Sequence, residues 1–490
     1  MIDSVLAALI ALGTAAIFVA AGVMYVRRKA LSVEDYLVSR NTAGLGLATA
    51  TLVASGMGAW ILFSPAETGT WAGMAGIVGY AIGAAAPFVA FILLGPRMRQ
   101  LMPDGHSLTE YVWHRFGPVM YVFILCVVVF YMLVFLSAEL TGISLAFDLI
   151  ADTQLGVTAL IVGLLTVAYT AYGGMRASLF TDRVQFYVII PLLFLVLAAA
   201  VSALDGFGSD FSTVSKDNPE LLSASYRGGI EFGITLIIAV LAANMFHQGY
   251  WQRVYAMRDD TTLRRSFLIA GLVSIPLVIV TGIFGVLAVG RGASEAHDSV
   301  AMFSLIVDAM PAWSAVVVLL LALMLVMSSM DTLLNGIAST ITSDLARYRP
   351  DLAGGSLLRS SRVITAVLII PAIIVASQGW SVLYLFLIAD LVCAAVLFPV
   401  FFGMYTRSFS SLDALISSVV GLVVGALLFP LPDFSAWNSL PLSGSTLYSF
   451  GAALGVSTVL SIVLNYVSAN RKAGEYDFSR LAQQVKLIAD

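Results

Sequence analysis

Charge is scarce in this sequence: Asp, Glu, Lys and Arg together make up 11% of 490 residues, less than half of the roughly 25% usual in soluble domains. Cysteine is almost absent, with only Cys126 and Cys393, both inside apolar stretches. Two such thiols support neither a disulfide framework nor a zinc site and are expected to be packed in the core. The four histidines, His106, His114, His247 and His297, stand far apart, without the spacing a metal site needs. No Walker A sequence is present, and no Gly-x-Gly-x-x-Gly follows a strand pattern, so neither ATP nor a dinucleotide has a cradle. A net charge of −4 with scattered basic residues excludes nucleic acid as a partner. These absences remove soluble-enzyme chemistry and leave a non-enzymatic role.

What is abundant is apolar surface: 60% of the residues are hydrophobic and the mean hydropathy is +0.96. The lipid bilayer is therefore the expected surrounding. A transmembrane helix needs about 20 apolar residues, and thirteen stretches qualify, at 5–26, 46–70, 72–95, 119–149, 154–172, 178–204, 228–248, 263–289, 312–346, 358–377, 379–405, 411–429 and 446–468. The first, with Asp3 before it and Arg27, Arg28 and Lys29 after it, reads as a retained span rather than a signal peptide, with its N-terminus outside. Alternating from there leaves only Lys216, Arg227 and Arg291 outside and the other 22 of the 25 Lys and Arg residues inside, as the positive-inside rule requires. The expectation is a multi-pass protein of the cell inner (plasma) membrane with its C-terminus inside. The tail beyond residue 470 carries a weak amphipathic pattern, Leu481, Val485, Leu487 and Ile488, that suits a membrane surface or a short solvated helix.

Polarity at membrane depth is informative because it is expensive there. The span 46–70 contains Gly56 and Gly58, with Pro65 about two turns beyond; these weaken the hydrogen-bond ladder. Unwinding would free carbonyls for a cation, and small-residue packing against a neighbouring helix is the other reading. In the span 312–346, Leu325, Ser328, Ser329 and Thr332 follow the i, i+3, i+4, i+7 rule and share a face, with Asp331 at its edge. Such hydroxyls either bond their own helix or serve a ligand.

The stretch Gly173-Gly174-Met175-Arg176-Ala177-Ser178-Leu179-Phe180-Thr181-Asp182-Arg183-Val184-Gln185 resembles the Gly-Gly-x-x-Ala-x-x-x-Thr-Asp-x-x-Gln signature of the sodium/solute symporter family. That group includes sodium-coupled sugar, proline, sialic acid, urea and choline transporters. The Ala-Ser-x-Met segment before Gly58 and the Met-Ser-Ser segment at 327–329 match the same family, and the resemblance covers essentially the whole chain.

The resemblance implies an all-α, leucine-transporter-like fold with a 5+5 inverted repeat. Its parts would be an N-terminal span and cytoplasmic loop (1–45), repeat one (46–204), an external loop (205–227), repeat two (228–406), and two further spans with a cytoplasmic tail (407–490). The first helix of each repeat would be broken, and Asn244, His247, Gln248 and Gly249 do interrupt the apolar run 228–248. The family's principal sodium site carries over to carbonyls of Ala54, Met57 and Leu325 and the hydroxyls of Ser328 and Ser329. The transported ion would be Na⁺, with no organic cofactor. A second cation site in some members corresponds to Asp182, Ser328, Asp331 and Thr332. Asp331 departs from the serine found there, so the two carboxylates would bind a second Na⁺, share a proton, or pair with Arg176 or Arg183.

Substrate-lining candidates are Trp60, Ser64, Glu67, Tyr80, Ser137, Glu139, Thr141, Asn244, His247, Gln248, Trp380 and Tyr384. Acceptors from Glu67 and Glu139, with no basic residue expected at this depth, favour an amide, amine or zwitterion over an anion. Urea, an amino acid or a choline-like amine are the examples, and no obligate protein partner is evident. The function expected is Na⁺-coupled symport of a small polar, nitrogen-containing solute by alternating access. The alternatives are a sensor module working with a separate kinase and a Na⁺-independent facilitator or channel.

Overall fold

The computed structural model describes residues 38–203 apart from Met57 and Ala59, then 208–292, 299–309, 312–348, 354–470 and 475–485, with scattered positions before residue 25. The expected N-terminal span at 5–26 therefore lies mostly outside the described residues, as do Met57 and His297. The described chain is helical throughout. An isolated parallel bridge between Ala43 and Met257 ties the segment before the first helix to the end of a later one.

The helices, in order, are α1 (Leu45–Gly56), α2 (Trp60–Leu101), α3 (Leu108–Phe116), α4 (Pro118–Ala151), α5 (Leu155–Ala203), α6 (Gly208–Asp217), α7 (Arg227–Met245), α8 (Gln248–Ala256) and α9 (Asp260–Gly290), followed by α10 (Ala301–Ala309), α11 (Ala312–Tyr348), α12 (Gly354–Ala376), α13 (Val382–Phe402), α14 (Ser411–Leu428), α15 (Thr446–Asn470) and α16 (Ser479–Gln484). Among the described residues ten helices are long and apolar enough to cross a membrane, and two shorter apolar stretches, Leu45–Ala54 and Leu155–Ala168, accompany them.

Two of these helices are too long to be single spans. At 1.5 Å per residue the 42 residues of α2 would reach about 63 Å, twice a hydrocarbon core of about 30 Å. The chain turns at Gly73 (φ 59°, ψ −157°), and α5 turns in the same conformation at Gly174 (φ 55°, ψ −151°). Positive φ costs glycine nothing. The second glycine of the Gly-Gly pair at 173–174 thus has a backbone duty.

Two packed groups result. Helix α2 lies along α9 and α7, with α1 against α9, while α11 lies against α5 and α4, which also hold α12. Helix α13 bridges the groups, touching α4 and α7 as well as the paired α14 and α15. Glycine sets the closeness of the first group. A Cβ on Gly285 would fall 1.9 Å from the Ala66 carbonyl oxygen, one on Gly69 2.2 Å from that of Gly282, and one on Gly79 2.2 Å from the Gly233 Cα. Small residues let helix backbones touch where no hydrophobic effect drives them together.

Two expectations change at the periphery. Cys126 is exposed and only Cys393 is buried, because the Cys126 position on α4 faces outward. In the tail, Leu481 and Val485 are buried against the bundle, where α16 meets α2 and α3. Tyr476 donates through its hydroxyl to the His114 carbonyl, and its ring lies under the Arg115 guanidinium at 4.6 Å. Of the pattern's apolar residues Leu481 and Val485 face the protein, while Arg480, Ala482, Gln483 and Gln484 are exposed; Leu487 and Ile488 lie outside the described residues.

Gly285→Val places branched carbon where the Ala66 carbonyl stands, and overpacking of this kind costs about 1–3 kcal/mol or more. Gly455, with nothing within 4 Å of its Cβ position, is the control. Thermal melts of purified protein should show a clear loss of stability or of folded yield for Gly285→Val and little change for Gly455→Val.

Candidate functional site

The helix ladder is interrupted twice. Helix α1 stops at Gly56 and α2 starts at Trp60; α7 stops at Met245 and α8 starts at Gln248. At the second break His247 caps α8, its ring nitrogen accepting from the Gly249 N–H at 3.1 Å. At the first, the Trp60 indole N–H donates to the Gly56 carbonyl at 3.0 Å, and the Trp60 backbone N–H donates to Glu139 Oε1 at 3.3 Å. A carboxylate suits the positive end of a helix. It reaches this far because a Cβ on Gly58 would stand 2.3 Å from Glu139 Oε1.

Helix α11 joins these pieces. Ser329 donates to Glu139 Oε2 at 2.7 Å, with the Leu325 and Val326 carbonyls at 3.2 and 3.1 Å as longer alternatives. Ser328 donates to Asp182 Oδ1 at 2.8 Å. Asp182 Oδ2 accepts from Thr51 of α1 at 2.6 Å and from the Arg253 guanidinium at 2.8 Å. Arg253 donates further to Thr51 Oγ1, Thr332 Oγ1 and the Gly249 carbonyl, each at 3.0 Å. Both members of the ion pair are fully buried.

Arg253 corrects two expectations. Its place near the end of an apolar run assigned it to an inner loop, and no basic residue was expected at depth; the α7–α8 break instead carries it into the helix cluster. It, rather than Arg176 or Arg183, is the partner of Asp182; Arg183 is exposed and the Arg176 side chain lies outside the described residues. Asp331 shares Thr332 with this cluster, accepting from its hydroxyl and from that of Thr181, each at 3.3 Å. It accepts from Ser178 at 2.9 Å, while the guanidinium stands among Asp182, Thr51 and Thr332. Ala54 and Leu325 are buried nearby on α1 and α11.

A separate cavity of about 720 Å³, its open mouth included, is lined by residues of α1, α2, α4, α7, α8, α9 and α13. Of the expected lining residues it contains Trp60, Tyr80 and Asn244. The Trp60 and Tyr80 rings stack at 5.8 Å, and Asn244 spends its amide on the Val240 carbonyl at 2.8 Å.

The other candidates lie elsewhere. Ser64 is buried in α2. Glu67 accepts from Ser299 at 2.6 Å and Ser381 at 2.7 Å, which joins α2 to the start of α13. Ser137 and Thr141 bond carbonyls of their own helix, and Glu139 serves the break. His247 packs against Tyr131, Phe135 and Tyr250. Gln248 is tied to the His106 carbonyl and the Leu108 N–H. Trp380 is 54% exposed, and the Tyr384 hydroxyl donates to the Pro430 carbonyl. The face of α13 that does line the cavity is Leu383, Phe386, Leu387 and Asp390, the i, i+3, i+4, i+7 set; Tyr384 is one residue off it. Asp390 was missed, although one acid in an otherwise uncharged helix was the available signal.

A sequence model of the sodium:solute symporter family matches residues 36–421. The chain is 30% identical over 418 residues to a spermidine transporter of Candida albicans, covering 83% of this chain and 78% of that one. It is 23% identical to a urea active transporter of Saccharomyces cerevisiae, covering 84% of this chain and 61% of the relative. Among solved structures, a Na⁺-coupled sialic acid symporter in a substrate-bound outward-open state superposes with a TM-score of 0.74 at 17% identity, over 95% of this chain and 98% of that one.

Breaking a buried ion pair by removing one partner costs about 3–5 kcal/mol, whereas neutralising both is often tolerated. Asp182→Asn or Arg253→Gln alone should therefore lower the melting temperature sharply, and the double variant should recover most of the loss. Thermal unfolding of the three purified variants measures the coupling.

Proposed function

The chain belongs to the sodium:solute symporter family, whose members are secondary active transporters, and from that premise we propose that it couples inward Na⁺ movement to uptake of a small polar, nitrogen-containing solute through the α1–α13 cavity. It is a multi-pass membrane transporter rather than an enzyme. The finer frame of this proposal is thirteen spans with the N-terminus outside, a 5+5 inverted repeat, and a cell membrane location.

The observation that carries the reading is the pair Ser328 and Ser329. Each hydroxyl gives its proton to a carboxylate that also holds one side of the α1–α2 break: Asp182 through Thr51, Glu139 through the Trp60 N–H. A hydroxyl that donates keeps its lone pairs, and Na⁺ is a hard cation that takes oxygen ligands. Carbonyls of Ala54, Met57 and Leu325 complete the proposed site. The proposed stoichiometry is one Na⁺, because the guanidinium of Arg253 already supplies positive charge beside Asp182, Ser328 and Thr332.

The driving force is adequate. At 100 mV one Na⁺ moving inward releases about 2.3 kcal/mol, and a tenfold gradient adds about 1.4 kcal/mol. Together they support roughly 500-fold accumulation of a neutral solute. Similarity to spermidine and urea transporters supports a nitrogenous cargo.

Uptake of radiolabelled urea and spermidine into proteoliposomes tests the coupling. Replacing external Na⁺ by K⁺ should abolish accumulation, and Ser328→Ala or Ser329→Ala should raise the Na⁺ concentration for half-maximal uptake by tenfold or so, about one ligand's 1.4 kcal/mol. Accumulation that ignores Na⁺ and follows a proton gradient would overturn the choice of ion. Equilibration without accumulation would make the chain a facilitator.

A further inference from the structure

Asp390 is the residue that the site described above leaves unused. It lies mid-helix in α13, is 5% exposed, lines the cavity, and is the one charged residue of Val382–Phe402. Among the described residues it makes no hydrogen bond; the hydroxyl-bearing Tyr80 and Tyr131 share the cavity wall with it, and no Lys or Arg does. A carboxylate in a membrane interior without a partner is expensive, so its partner is expected to arrive with the ligand.

The surroundings select among possible partners. The wall around Asp390 is aromatic: Trp60 and Tyr80 are stacked, Tyr131 lies 5.9 Å from Phe135, and Phe135 meets Phe386 edge-on at 4.9 Å. Apart from the hydroxyls of Tyr80, Tyr131 and Tyr250, the other polar side chains are already engaged in part, Asn244 with the Val240 carbonyl and Ser274 with that of Gly271. A bare Na⁺ wants a full shell of oxygens, and beyond three ring hydroxyls the aromatic wall offers it none. An organic ammonium group wants one counter-charge and aromatic faces for its attached carbons.

From this arrangement we propose that the cavity recognises organic cations, protonated or quaternary amines, with the nitrogen at Asp390 and the carbon skeleton against Trp60, Tyr80, Tyr131 and Phe135. This rests on the reading of the cavity as the transport site and names the substrate class within it. A cationic cargo also adds its own charge to the driving force, about 50-fold accumulation per unit charge at 100 mV.

The test uses the full chain in lipid nanodiscs, titrated calorimetrically with spermidine, choline and neutral urea. The wild type should bind at least one of the two cations. Asp390→Asn, nearly the same shape, should weaken that binding by roughly 30-fold or more, and Asp390→Glu should retain most of it. Both variants should keep the wild-type melting temperature, since no hydrogen bond within the protein is lost. Cation binding that is unchanged in Asp390→Asn would overturn the proposal, as would failure of both cations to bind wild type. If urea alone binds and its uptake depends on Na⁺, the symport reading survives and the cation reading falls. If cation binding depends on Asp390 while uptake ignores Na⁺, the reverse holds.

Discussion

The arrangement turns on the ion pair between Asp182 and Arg253, because neither charge is tolerable alone in a fully buried position. The pair binds three elements at once: the aspartate comes from α5, the arginine from α8 beyond its break, and Thr51 of α1 bonds to both. Thr332 and Ser328 add α11. A short cluster of hydrogen bonds thus fixes one half of each broken helix against the two long helices that run beside them.

Once those halves are fixed, the start of α2 is held by a second carboxylate. Glu139 accepts from the first N–H of α2 and from Ser329, so a side chain of α4 ties the start of α2 to α11. The two serines of α11 are adjacent in sequence and yet serve different carboxylates. That geometry makes α11 the element that joins the two sides of the α1–α2 break.

The cavity is chemically distinct from this polar cluster. Its walls are rings and aliphatic side chains, its polar side chains are few, and its one acid comes from α13, the helix that touches both packed groups. The proposed ion chemistry and the proposed cargo recognition thus use different surfaces of the same breaks. Trp60 belongs to both: its backbone N–H meets Glu139, and its ring stacks on Tyr80 in the cavity wall.

Helical class, the positions of the apolar runs, the two interruptions and the shared hydroxyl face of α11 were all legible in the sequence, because each depends on residues within a turn or two of one another. The Gly173–Gly174 pair could be recognised there as a motif, though its reason, a backbone turn at positive φ, could not. What the tertiary structure alone decided is who pairs with whom. Arg253 and Asp182 are 71 residues apart, and Glu139 and Ser329 are 190 apart. No local pattern says that an arginine at the end of an apolar run is drawn inward by a distant acid, or that Glu67 is spent on Ser299 and Ser381 instead of a solute. Asp390 is the intermediate case. Its cost at membrane depth is written in the sequence, but the rings that other helices contribute to the cavity wall come from α2, α4 and α8, and that wall exists only when they pack.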